Sequence, residues 1–190
     1  SGFLNARYGR VKQLNLGASL TFEQSYDEVH GDSASAAELV ALLSSIAEIP
    51  LRQDRALTGS VNQHGEIQPI GGVNEKIEGF FASCKANILT GEQGVIIPAG
   101  NQRHLMLNDE VIHAVSKGEF RVWTVETIDE IIELMSDMEV GILQEDGSYP
   151  KGTFNYAVME KLEQFTRTMQ TSGKNFPQSS ERENKTNDSG

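Results

Sequence analysis

Apolar residues recur at helical spacing along much of this chain, and short β-type runs interrupt them. From Ser33 onward, Leu39, Leu42, Leu43 and Ile46 share one side of a 3.6-residue period, and the stretch must stop before Pro50. Val73, Ile77, Phe80, Phe81 and Cys84 form the stripe of a second helix over about 73–86, opened by the Gly71-Gly72 break. Asp109–Ser116 predicts a helix with Val111, Ile112 and Val115 inward. Thr127–Met138 predicts another, with Glu126 to Glu130 acidic at its start, as the helix dipole prefers. Tyr156–Met169 predicts one more. Between them, Val95-Ile96-Ile97 reads as a short buried strand within Gly94–Pro98, and Phe120–Val125 as a second. Residues 55–70 read as a hairpin turning at Gln63-His64-Gly65-Glu66, with Gly59 as a bulge. Leu20 and Phe22 share one face of an expected strand, and Glu23–His30 is a polar approach loop; residues 1–18 show no clear pattern. Strands alternating with helices, plus one antiparallel hairpin, predict an α/β domain with a small mixed sheet flanked by helices.

Composition narrows this picture. A chain of 190 residues holds one domain with a tail, or two small ones. Residues 1–140 carry the α/β pattern, residues 141–170 form a C-terminal extension with the last helix, and residues 171–190, nearly devoid of apolar side chains, are expected to be disordered. The formal net charge of -11 argues against a nucleic-acid partner, because phosphate contacts need clustered Lys and Arg. The single cysteine, Cys84, excludes an intrachain disulfide and reads as a small buried hydrophobe. No segment is apolar enough to span a membrane and no leader pattern opens the chain, so a cytoplasmic protein without a membrane partner is expected.

Candidate chemistry concentrates in two segments. Ser33, in Gly31-Asp32-Ser33-Ala34-Ser35, sits where a small-residue loop opens a helix. Backbone N–H groups there lack helical partners and favour negative charge, as on an acyl-transfer oxyanion. The ordinary role of Asp32 or Ser33 at such a place is to cap the helix. Lys76 lies one turn into the helix behind Gly71-Gly72, beside the apolar stripe. Burial there would favour the neutral amine that a general base requires, whereas the ordinary role is a surface lysine leaning off a core helix. Thr58, before Gly59, is within reach of a lysine amine or is a plain strand threonine. His30 adjoins the serine loop, and His64 is a turn residue. His104 and His113 have no paired ligand spacing, so no metal is expected. Trp123 reads as core. No Gly-x-x-x-x-Gly-Lys-Ser/Thr loop occurs, so no nucleotide cofactor is expected in this chain.

Taken together, Gly31-Asp32-Ser33-Ala34-Ser35, Ala56-Leu57-Thr58-Gly59-Ser60 and Gly65-Glu66-Ile67-Gln68-Pro69-Ile70-Gly71-Gly72-Val73-Asn74-Glu75-Lys76 resemble the proteolytic domain of Lon proteases. The serine motif is similar to that of the B-type subgroup, and the nearest likenesses are bacterial Lon-like homologues. Gly94–Pro98 and the Asn101–His104 loop match as well, so the resemblance spans roughly Ala18 to Leu134. It implies a serine endopeptidase with Ser33 as nucleophile and Lys76 as general base. Thr58 would support the lysine, and the N–H groups of Asp32 and Ser33 would form the oxyanion site. It further implies unfolded protein as substrate and a homo-oligomer, a hexameric ring; ATP would enter only through an ATPase module elsewhere. Two departures stand out. His30 occupies a position where B-type enzymes often carry an acid, whose role would pass to Asp27 or Glu28 or be lost. The segment ahead of Ser33 is shorter than the family's, so the first strands are expected to be missing. These departures motivate a rival expectation, a catalytically silent assembly or binding module on the same fold. A third is an amidase acting on small molecules.

Overall fold

Gly94-Val95-Ile96-Ile97-Pro98 forms the central strand, buried along its whole length. It pairs in parallel with Arg55–Leu57 on one side and Arg121–Val125 on the other. In a computed structural model of the chain, the described residues are 2–9 and 32–173. The strand expected at Leu20–Phe22, the approach loop to His30 with Asp27 and Glu28, Gly31, and residues 174–190 lie outside them. In chain order the elements are α1 (Gly2–Tyr8), α2 (Ser35–Ala47), β1 (Arg55–Leu57), β2 (Ser60–Val61), β3 (Ile67–Gln68), α3 (Val73–Asn87), β4 (Gly94–Pro98), α4 (Asp109–Ser116), β5 (Arg121–Val125), α5 (Ile128–Ser136) and α6 (Phe154–Gly173).

Alternation along β4 divides the interior into two cores. Ile96 faces one core with Leu57, Val125 and side chains of α1, α2, α5 and α6. Val95 and Ile97 face the other with α3, α4 and Phe120. Successive strand side chains point to opposite faces, so a strand buried on both reads as an unbroken apolar run. The result is a parallel sheet with helices on both sides, the expected α/β class.

Several local expectations change. The 55–70 hairpin is split: β1 joins the parallel sheet in the order β1-β4-β5, while β2 and β3 form a separate antiparallel pair. The small mixed sheet is therefore two ladders. They are stitched where the Ile67 N–H donates to Glu126 O (2.8 Å) and the Ile128 N–H to Gly65 O (2.8 Å). Gly59 is a junction between the ladders and not a bulge. The turn at 63–66 forms as expected, with the Asn62 side-chain oxygen accepting from the N–H groups of His64 and Glu66. In α4, Val111 and Ala114 are buried, while Ile112 and Val115 are exposed. In α3, Phe80 and Cys84 are only partly buried at the edge of the stripe. Trp123 is half-buried, its ring 4.9 Å from the Arg55 guanidinium. α1, unread in the sequence, buries Phe3, Leu4 and Tyr8. Seven residues make only about two turns, too short for the apolar spacing to repeat. α6 is longer than Tyr156–Met169 at both ends, so residues 171–173, expected in a disordered tail, are its last turn. No helix among the described residues is long and apolar enough to cross a membrane.

Gly94 gives the sheet a testable close contact. A Cβ there would stand 2.1 Å from the Arg121 carbonyl oxygen and 2.6 Å from Trp123 Cζ3. The obstacle is backbone, so Gly94→Ala must strain the β4–β5 pairing. The expected loss of stability is about 1–3 kcal/mol, read by thermal melting beside the wild type. An unchanged melt would mean that β5 shifts freely.

Candidate active site

The carboxyl end of β1 is where the two cores meet, and open α/β sheets place their crevices at such ends. Buried Thr58 follows β1 directly, its N–H donating to Ile96 O on β4 (3.1 Å). The next residues are laced to the serine segment. The Gly59 N–H donates to Ser33 O (2.8 Å), and the Ala36 N–H donates to Gly59 O (3.2 Å). The Val61 N–H donates to Ser35 Oγ (3.0 Å), and the Ser60 hydroxyl donates to the Asp32 carboxylate. Gly59 suits this junction, since a Cβ would crowd Ile67 Cγ2 at 3.1 Å.

This lacing removes the capping explanation of the serine motif. Asp32–Ala34 is a 3-10 turn, and the residue capping α2 is Ala34, with no side-chain cap bond. Asp32 spends its carboxylate on Ser60. Ser33 Oγ accepts from Lys76 Nζ at 3.0 Å.

Lys76 arrives from the opposite layer. Gly72 caps α3 in the left-handed region, φ 67°, and accepts the Lys76 N–H at 3.2 Å. Glycine adopts that conformation without the steric cost other residues bear. Val73 and Ile77, buried on either side of Lys76 in the chain, hold the first turn of α3 against its core. The Lys76 amine then reaches Thr58 Oγ1 at 3.1 Å as well as Ser33. Thr58 in turn directs its hydroxyl toward Ser33 O at 3.4 Å, a long contact. The structure thus brings Ser33, Lys76 and Thr58 together, with Asp32 one residue away and turned toward Ser60.

Desolvation pushes the Lys76 ammonium below the usual lysine range. Much of the side chain is exposed, and its amine is held between the Ser33 and Thr58 hydroxyls. Among the described residues no carboxylate pairs with Lys76 to oppose the displacement. A place in the first turn of a helix acts in the same direction, because the N-terminal end of the dipole disfavours a cation. A hydroxyl and an amine at hydrogen-bond distance, with the amine biased toward neutrality, can exchange a proton.

The side chains of Ser35 and Ser60 and the Gly59 peptide support the site through bonds that the sequence pattern does not announce. Their bonds run between segments about 25 residues apart, so local periodicity carries no trace of them. Among the described residues, no group of three His, Cys, Asp or Glu could hold a metal ion.

Comparison with known proteins identifies the family. The Lon protease (S16) C-terminal proteolytic domain matches residues 28–137. A protein named "Putative Lon protease homolog" in Escherichia coli (strain K12) is 52% identical over 136 residues, 72% of this chain and 23% of that protein. A protein of the same name in Haemophilus influenzae is 48% identical over 141 residues, 74% of this chain and 23% of that one. An archaeal Lon protease of Thermococcus kodakarensis is 39% identical over 113 residues, 60% of this chain and 16% of that protein. The chain thus spans less than a quarter of the length of these relatives. With more than half of its residues matched and the serine and lysine segments brought together, the chain belongs to the family of Lon protease (S16) C-terminal proteolytic domains.

Proposed function

We propose that this chain is the peptide-hydrolysing part of a serine endopeptidase acting through a Ser33–Lys76 dyad. The observation that carries the reading is the Lys76 amine lying 3.0 Å from Ser33 Oγ and 3.1 Å from Thr58 Oγ1. With its hydroxyl turned toward Ser33 O, Thr58 offers a lone pair to a Lys76 N–H. Neutral Lys76 then has its own lone pair free to face Ser33.

In the first step Ser33 Oγ bonds to the scissile carbonyl carbon while its proton passes to Lys76. Backbone N–H groups of the turn at Asp32 and Ser33 hold the oxyanion. The Lys76 ammonium returns that proton to the departing amine as the C–N bond breaks, leaving an acyl-serine. Water then attacks the ester carbonyl, Lys76 takes its proton, and Ser33 recovers it as the acid product leaves. Unfolded polypeptide is the substrate proposed, and a homo-oligomeric ring, a hexamer, the proposed assembly; no cofactor takes part in these steps. Stoichiometric labelling of Ser33 by a serine-directed fluorophosphonate, with casein cleavage in the absence of ATP, tests the reading. Neither labelling nor cleavage would turn it into that of a silent binding module.

The displaced lysine also sets a pH dependence. Only the neutral amine accepts the serine proton, so activity rises with pH as Lys76 deprotonates. Because desolvation lowers its folded-state pKa, the rise in kcat/KM comes at lower pH than an ordinary lysine would give. A pH–rate profile of peptide hydrolysis reads this directly. A rise centred in the ordinary lysine range would mean that the Lys76 amine is not desolvated in the working enzyme, and a rise unchanged in Lys76→Ala would remove Lys76 as the base.

A further inference from the structure

Lys76 stands on a helix whose approach is loose. No described atom lies within 4 Å of where a Cβ on Gly71 would stand, and one on Gly72 would meet only the Glu75 carboxylate, at 3.8 Å. The glycine pair therefore does not locate α3 by packing. Two asparagines bracket it. Upstream, Asn101 is buried, 5% exposed, and gives both ends of its amide to one residue. Its Oδ1 accepts from the Ile70 N–H at 3.0 Å and its Nδ2 donates to Ile70 O at 2.8 Å. Downstream, Asn74 in the first turn of α3 accepts from the Met106 N–H at 2.9 Å and donates to His104 O at 3.3 Å.

Both asparagines tie the lysine segment to the 3-10 turn Ala99–His104, which grows straight out of β4. The fit is close: a Cβ on Gly100 would stand 2.6 Å from Pro69 Cγ. β4 also holds the other side of the site, since Ile96 O accepts the Thr58 N–H. A closed circuit results, running from β4 through Thr58 to Lys76, back along α3 to Ile70, and through Asn101 to β4. Within it Asn101 is a buried side-chain link, and amide-to-peptide pairing of this kind fixes separation and orientation together.

We propose that Asn101 is a positioning residue for Lys76: by clamping the Ile70 peptide it sets where α3 begins and hence how far the lysine amine reaches toward Ser33. The proposal rests on the Ser33–Lys76 reading for its catalytic consequence, though its structural half can be read without activity. Asn101 touches neither Ser33 nor Lys76, so it acts through the backbone between Ile70 and Gly72.

The test is a titration of the Lys76 Cε resonance by carbon-detected NMR in the purified chain, wild type against Asn101→Ala, with Lys76→Ala to assign the signal. Release of the clamp lets the amine relax toward water, so the Lys76 titration is expected to move up toward the ordinary lysine range. Peptide hydrolysis by the same proteins is expected to fall about tenfold or more in kcat, with KM little changed, since small misplacements of a reacting group are costly. The rising limb of the pH–rate profile should move with the titration. If Asn101→Ala lowers the melting temperature but leaves the Lys76 titration, kcat and the pH profile in place, Asn101 is only a structural residue and the proposal is overturned. Should that variant fail to fold, Gly100→Ala displaces the same segment through Pro69 with the amide intact. It is expected to move the Lys76 titration in the same direction, and an unmoved titration overturns the proposal equally. A moved titration with no Ser33-dependent hydrolysis even in the wild type would sink the protease reading and leave the clamp standing.

Discussion

Removing the Ser33 hydroxyl is expected to lower hydrolysis of unfolded casein by about a thousandfold or more, because no nucleophile remains to form the acyl-enzyme. Lys76→Ala is expected to lose about 10²–10⁴-fold, the usual worth of a positioned general base. The informative variant carries both changes. A serine and a lysine that share one proton act as a unit, so the double variant should be no slower than Ser33→Ala alone. Multiplying losses would mean that the 3.0 Å contact between Oγ and Nζ is not the route of the proton. Lys76→Ala retaining most of the wild-type rate would remove the lysine from the mechanism altogether. Initial rates on a fluorogenic peptide, with fluorophosphonate labelling of the same samples, separate loss of chemistry from loss of the site.

Phe154→Ala is expected to cost about 3–5 kcal/mol of stability, the range for truncating a fully buried phenylalanine. Phe154, Val158 and Leu162 are fully buried at i, i+4 and i+8 on α6. They share a core with α2, the helix that carries the serine turn at its start. Backbone bonds anchor the same helix, as the Phe154 N–H donates to Glu139 O and the Asn155 N–H to Val140 O, each at 2.9 Å. Tyr8 of α1, fully buried, adds a bond from its hydroxyl to Asn155 Oδ1 at 2.6 Å. All of α6 lies beyond the family match, which ends at residue 137. A penalty of this size would be a large fraction of the roughly 5–15 kcal/mol that holds a typical domain together. Denaturant unfolding should show the midpoint falling with the slope preserved. A change under about 1 kcal/mol, within the range of an ordinary surface substitution, would show α6 to be peripheral to the domain.

The sequence and the structure agree most closely where the signal is local. α4 occupies the expected Asp109–Ser116 and α3 differs by one residue, because period, caps and breakers act within a few residues of one another. Thr127, expected to open a helix, is the cap of α5, joined to Glu130 in a reciprocal capping box. Agreement fails where partners are distant. Residues 55–61 read as one strand of a hairpin, yet they divide between two ladders because β1 finds β4 about forty residues away. Backbone donors and acceptors are the same for every residue but proline, so no side-chain pattern announces which strand will be their partner. The inward face of α4 failed for a related reason. Val111, Ile112 and Val115 share a helical arc, and only the neighbouring sheet decides which part of the arc is covered.

For the site, the sequence by itself determined the chemical types and their local frames. It supplied a serine at the head of a helix, a lysine one turn behind a glycine pair, a threonine at a strand end, and a family resemblance joining them. Tertiary structure alone decided that Lys76 Nζ reaches Ser33 Oγ across 43 positions of chain, that Asp32 turns to Ser60, and that Asn101 clamps Ile70. A hydrogen bond tolerates only a few tenths of an ångström. That precision arises from the combined packing of two helical layers on a shared strand, and no single segment of the chain contains it.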